Sequence, residues 1–84
     1  MKLHPFKASV SVWEISAGHR AIREVRNVET ASLVHLSWPG RGKAWRKAAE
    51  VLSSEALRGQ ATPEQAQKAF VAAAKEAGVL VERD

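Results

Sequence analysis

The chain starts to alternate at Ser9. In Ser9-Val10-Ser11-Val12-Trp13-Glu14-Ile15, Val10 and Val12 fall on one side and Trp13 and Ile15 on the other. The β-branched content and the period of two predict a strand whose second face is not cleanly polar. Ser16-Ala17-Gly18-His19 reads as a turn, with Gly18 able to supply positive φ. Residues 20–25 return as a second strand. Their alternation is weaker and a helix is the competing reading, but no N-cap precedes Arg20 and the turn suits a hairpin. Residues 1–8 read as a flexible arm, because Pro5 opposes a helix and chain ends fray.

From Asn27 the period becomes helical. Asn27 is a good N-cap, and Glu29 stands in the first turn, where the helix dipole favours an acid. The first helix is predicted over residues 28–37. Ala31, Val34, His35 and Trp38 form one stripe, and Leu33 and Leu36 widen it, which predicts burial on more than one side. Pro39 disfavours the α region at Trp38 and has no N–H, so this helix stops there, and Gly40 and Gly42 relax the turn that follows. A second helix is predicted over residues 44–57. Trp45, Ala48, Ala49, Leu52 and Ala56 hold the i, i+3, i+4 rhythm, and Gly59 ends it.

The third helix carries the strongest signals. Thr62-Pro63-Glu64-Gln65 is a capping box with proline at the first helical position. Ala66, Ala69, Phe70, Ala73 and Ala77 make an apolar face anchored by Phe70, and Gly78 closes it. Residues 79–84 are a tail or a short strand: Val79-Leu80-Val81 either lies beside the hairpin or caps the core below Gly78. The expected fold class is α+β, in the order ββααα. A two-stranded antiparallel hairpin, with or without a third C-terminal strand, packs against three helices. Residues 9–78 form the body of one domain spanning 1–84, with Trp38, Leu52 and Phe70 in its core.

Composition narrows what such a fold can do. Eighty-four residues with 45% apolar content suit one ordered domain. A chain this short buries only roughly 60–65% of its unfolded surface, which leaves a thin stability margin and makes dimerisation a live option. There is no cysteine, so disulfides, thiolate metal sites and thiol nucleophiles are excluded, and a reducing cytoplasm is the expected location. Met1-Lys2-Leu3-His4-Pro5-Phe6-Lys7 lacks the apolar core of a signal peptide, and no run approaches the roughly 18 apolar residues of a membrane span.

Catalytic and metal constellations are not evident. His4, His19 and His35 lie in three different elements, and no HxH or HxxxH spacing pairs them, so a structural or surface role is the expectation and no metal site is assigned. The nine acids are scattered over predicted solvent faces, and Ser53-Ser54 sits inside a predicted helix rather than at a nucleophile elbow, so no catalytic residue is assigned. Gly40-Arg41-Gly42-Lys43 lacks the spacing, the preceding strand and the Ser/Thr of a phosphate-binding loop, and no cofactor is expected.

Charge is the one uneven feature. The formal net charge is +4, yet residues 1–47 hold nine Lys/Arg against three acids, and residues 48–84 hold four against six. Arg41, Lys43, Arg46 and Lys47 crowd the start of the second helix, with no acid until Glu50. Cations are mildly unfavourable there, whereas free helix-end amides plus four cations suit an anion. Arg20 and Arg23 extend this patch if the second strand lies nearby. The bland alternative is a solvated basic face. No RNP aromatics, GXXG clamp or zinc finger accompanies the cations.

One pattern joins these residues. Val10-x-Val12, Gly18-x-Arg20, Val28, Ala31, Trp38-Pro39, Gly42, Ala48, Ala56-Leu57-x-Gly59 and Ala66-x-x-Ala69-Phe70-x-x-Ala73-x-x-x-Ala77-Gly78 together resemble the bacterial domain-of-unknown-function family 982, from about Val10 to Val79. Trp38-Pro39 at its distance from the helices carries most of the likeness. Members often have a cysteine in the second helix, and this chain has none, so no thiol role carries over. The resemblance implies a similar small α+β fold, and no reaction or catalytic residue. The expectation is therefore a small non-catalytic binding or regulatory module. Its basic surface, Arg41, Lys43, Arg46 and Lys47 with Arg20 and Arg23, would face nucleic acid or an acidic protein surface. The rival is a protein-interaction module or homodimer that uses the hairpin edge and Trp13.

Overall fold

Two consecutive residues with positive φ, Ala17 at 51° and Gly18 at 80°, reverse the chain between its strands. This is the backbone of a type I′ turn, whose twist matches that of the flanking strands. The computed structural model describes residues 5–38, 42–52 and 62–81. Strand β1 spans Pro5–Ser16 and β2 spans His19–Asn27, paired antiparallel from Ser16↔His19 to Val10↔Val25. The alternation works as expected: Val10, Val12 and Val25 are buried, while Trp13, Ile15 and Ile22 project from the opposite face.

The arm expected over residues 1–8 is, from Pro5 onward, the opening of β1. Proline is tolerated as the first residue of a strand. The register slips between Pro5 and Val10, and within this stretch Phe6 is buried, its ring 6.2 Å from that of Phe70. The Lys7 N–H donates to Gln67 Oε1 at 3.1 Å, which ties the stretch to the last helix. A large aromatic with a core partner outweighs the tendency of chain ends to fray.

Helix α1, Val28–Leu36, is capped as predicted: the Thr30 N–H donates to Asn27 Oδ1 at 2.8 Å. Val28, Ala31, Val34 and His35 are buried. Leu33 and Leu36 do not widen the buried stripe; they are 72% and 59% exposed. The helix is covered on one side, and these two leucines, three residues apart, share the other.

Helix α2, Lys43–Val51, is shorter than the predicted 44–57. It closes at Leu52, whose side chain is buried and whose N–H still reaches the Ala48 carbonyl at 2.8 Å. The rest of the predicted span, residues 53–57 with Ala56 among them, and the stop expected at Gly59 lie outside the described residues.

Helix α3, Pro63–Ala77, has the full capping box: the Gln65 N–H donates to Thr62 Oγ1 at 3.1 Å, and the Thr62 N–H donates to Gln65 Oε1 at 3.0 Å. Gly78, at φ 73°, ends it in the left-handed conformation. Ala66, Phe70, Ala73 and Ala74 are buried, and the alanines let α2 lie close along α3. Phe70 is fully buried in the core, with the Trp38 ring tilted against it at 5.1 Å between centroids. The order is ββααα, an α+β arrangement.

Residues 79–81 do lie beside the hairpin. The Trp13 N–H donates to Val79 O at 2.7 Å, the Val81 N–H donates to Ser11 O at 3.0 Å, and Val12 bridges Leu80. Strand β1 is therefore flanked on both edges, while the outer edge of β2 has no strand partner among the described residues.

Candidate functional site

The start of α2 holds the cations expected of it, and it also holds an acid the local sequence does not contain. Glu76, in the last turn of α3, places its two carboxylate oxygens on the α2 amides: the Ala44 N–H donates to Oε2 at 3.0 Å and the Trp45 N–H to Oε1 at 3.1 Å. Gly42, the N-cap, contributes no side-chain hydrogen bond. A Cβ built there would meet the Glu76 carboxylate at 2.7 Å, so glycine is what lets the acid approach. The amides supposed free for an external anion are thus engaged by an internal one, which satisfies the helix dipole from the neighbouring helix. One signal pointed this way: an acid near the C-terminus of α3 is misplaced for its own helix.

Lys43, Arg46 and Lys47 are exposed on α2 and border an open depression together with Glu50 and Glu76. Arg41 lies outside the described residues. Arg20 and Arg23 belong to the hairpin, and three residues of separation on a strand puts them on opposite faces. Arg20 lays its guanidinium over the Trp13 ring, 4.5 Å from the centroid, and Arg23 donates to Glu14 Oε2 at 3.0 Å. The structure therefore gathers three of the six predicted cations on one helix face and engages two others on the hairpin.

His35 is buried at 1% exposure and built into the joint between α1 and α2. Its ring stacks on Trp45 at 4.4 Å, and Nε2 lies 3.0 Å from the Trp45 carbonyl. A carbonyl only accepts, so Nε2 carries the proton. Burial pushes the His35 pKa below its usual 6.5, partly opposed by the hydrogen bond to the Trp45 carbonyl. This is a neutral structural histidine. Among the described residues, no three His, Cys, Asp or Glu side chains gather where they could hold a metal ion.

The hairpin's outer face differs from the rest of the surface. Trp13, half-buried, lies opposite Ile22, and Ile15 lies opposite Arg20. Ile15 is 70% exposed and Ile22 48%, beside the Arg20–Trp13 stack. Residues 19–24 of β2 are exposed without interruption. The weak alternation of residues 20–25, which leaves strand and helix both open, belongs to a strand exposed from residue 19 to residue 24. Ile22 is the residue that reading passed over.

No helix among the described residues is long and apolar enough to cross a membrane. No curated protein and no solved structure matches the chain. One family does match: that described as "Protein of unknown function (DUF982)", over residues 13–81, which takes in the Trp38-Pro39 pair, the α2 cap and all of α3. The chain belongs to the DUF982 family.

Proposed function

We propose that this protein is a small, non-catalytic protein-binding module of the cytoplasm that engages its partner through the hairpin. The observation that carries this reading is β2, exposed at every position from 19 to 24 and without a strand partner on its outer edge among the described residues, with Ile22, Ile15 and Trp13 forming an apolar surface rimmed by Arg20. An unpaired strand edge offers a row of backbone donors and acceptors, and side chains of alternating direction give such pairing its specificity. A tagged copy and its Ile22→Lys variant, exposed to lysate of the source cell with nuclease added, test it. Loss in the variant of proteins retained by the wild type supports the hairpin as the binding surface. Equal recovery from both contradicts it.

A second reading has its own support in the three exposed cations of α2. Lys43, Arg46 and Lys47 would face nucleic acid or an acidic protein surface by charge alone, since Glu76 already occupies the helix-end amides. Binding to duplex DNA would then weaken with salt by about 0.9 log units in affinity per log unit of salt for each phosphate neutralised. Fluorescence anisotropy showing no binding at low salt would remove this reading.

A further inference from the structure

We propose that the partner seated on the β2 edge is a second copy of this chain, paired antiparallel about a two-fold axis at Ile22; this rests on the reading of the hairpin as a binding surface. The argument starts from which backbone groups are available. Opposed residues in an antiparallel pair alternate between those that exchange hydrogen bonds and those that do not. The Trp13 N–H goes to Val79, away from β2, so the Trp13↔Ile22 pair exchanges none. The N–H and C=O of Ile22 therefore point to the open edge, and those of Arg20 and Glu24 point there with them.

These same three residues share the outer face, because strand alternation puts every second side chain together. Read along β2 they run cation, apolar, acid: Arg20, Ile22, Glu24. A two-fold axis at Ile22 reverses that order in the second copy. Each Arg20 then faces the mate's Glu24, and Ile22 faces its own mate. On the inner face Ala21 meets Arg23, so no like charges oppose one another. The neighbouring registers lose this match. An axis at Arg23 sets two arginines face to face, as does one at Arg20, and an axis at Glu24 opposes two acids. An axis at Ala21 leaves Ile22 against Arg20 and Glu24 without a cation. An isologous contact needs a patch complementary to itself, and of the five registers centred on residues 20–24 the axis at Ile22 supplies it. The thin margin of an 84-residue core gives such pairing a stabilising role.

The chain has no cysteine, so single cysteines report the geometry cleanly. Hydrogen-bonded antiparallel pairs hold Cα atoms about 5.5 Å apart, within disulfide reach. Under mild oxidation the proposal expects Ile22→Cys to form a covalent dimer. Arg20→Cys and Glu24→Cys should stay monomeric alone and cross-link when mixed. Ile15→Cys, exposed on the same face but on β1, should not cross-link. In sedimentation velocity, Arg20→Glu should raise the dimer dissociation constant by about tenfold, and Arg20→Glu combined with Glu24→Arg should recover most of it. A wild type that stays monomeric at every concentration, or cross-linking at Ile15→Cys equal to that at Ile22→Cys, would overturn the proposal. The Ile22→Lys capture experiment then judges the hairpin independently: a partner lost in that variant keeps the binding surface and identifies its occupant as a different protein.

Discussion

His35 and Trp45 exchange hydrogen bonds through their rings: His35 Nε2 donates to the Trp45 carbonyl at 3.0 Å, and Trp45 Nε1 donates to the His35 carbonyl at 3.1 Å. The rings stack at 4.4 Å between them. This joint welds the end of α1 to the start of α2. Each carbonyl satisfies a ring N–H donor that would otherwise cost free energy to bury.

The joint makes the fold acid-sensitive. The folded His35 pKa lies below its unfolded value of 6.5, so the unfolded chain takes up the proton first as pH falls. Stability held by neutral His35 is complete above pH 6.5 and declines as pH drops from there toward the lower folded value. Urea unfolding midpoints at pH 7.5 and pH 5 should show a loss in the wild type that is smaller in His35→Gln, which does not titrate. Equal losses in both would assign the acid sensitivity elsewhere.

The Gly42–Glu76 contact predicts non-additive mutations. Glu76→Ala removes the acceptor of two helix-end amides and should cost about 0.5–2 kcal/mol, the range for loss of an N-cap. Gly42→Ala should cost a similar amount by displacing the same carboxylate. The double variant should cost little more than either single one, because both remove one interaction. Thermal melts of the four proteins measure this directly.

The hairpin turn is a site for stabilisation. Ala17 adopts φ 51°, a conformation that penalises most side chains and suits asparagine followed by glycine. Ala17→Asn should raise stability by about 0.5–1 kcal/mol, visible as a higher urea midpoint at unchanged slope.

The two faces of α1 and the centre of the core separate just as clearly. Leu33→Ser and Leu36→Ser should each change stability by less than about 0.5 kcal/mol, since both leucines are exposed. Phe70→Ala should cost about 3–5 kcal/mol, since Phe70 is fully buried between Phe6 and Trp38.

Much of this fold was legible because its signals are local. Asn27, the Thr62–Gln65 box and Gly78 mark helix ends through hydrogen bonds spanning three or four residues, and the structure makes each of them. Three features depend on partners distant in the chain. Phe6 joins the core because Phe70 awaits it, which no pattern in residues 1–8 states. Leu33 and Leu36 fit an apolar stripe by spacing, yet both face solvent, and among the described residues α1 packs through its other side. The α2 amides seemed open to an external anion because their carboxylate comes from Glu76, more than thirty residues away. The basic cluster was legible as composition, whereas the partners of Arg20 and Arg23, Trp13 and Glu14 on the other strand, required the register.

Amide hydrogen exchange resolved by residue in the dilute, wild-type protein tests the open hairpin edge most directly. Ala21, Arg23 and Val25 should be protected by their bonds to β1, while Arg20, Ile22 and Glu24 should exchange nearly as fast as an unstructured chain. Protection at Ile22 and Glu24 that persists at every dilution would mean that something within the chain covers the edge, and would contradict the account.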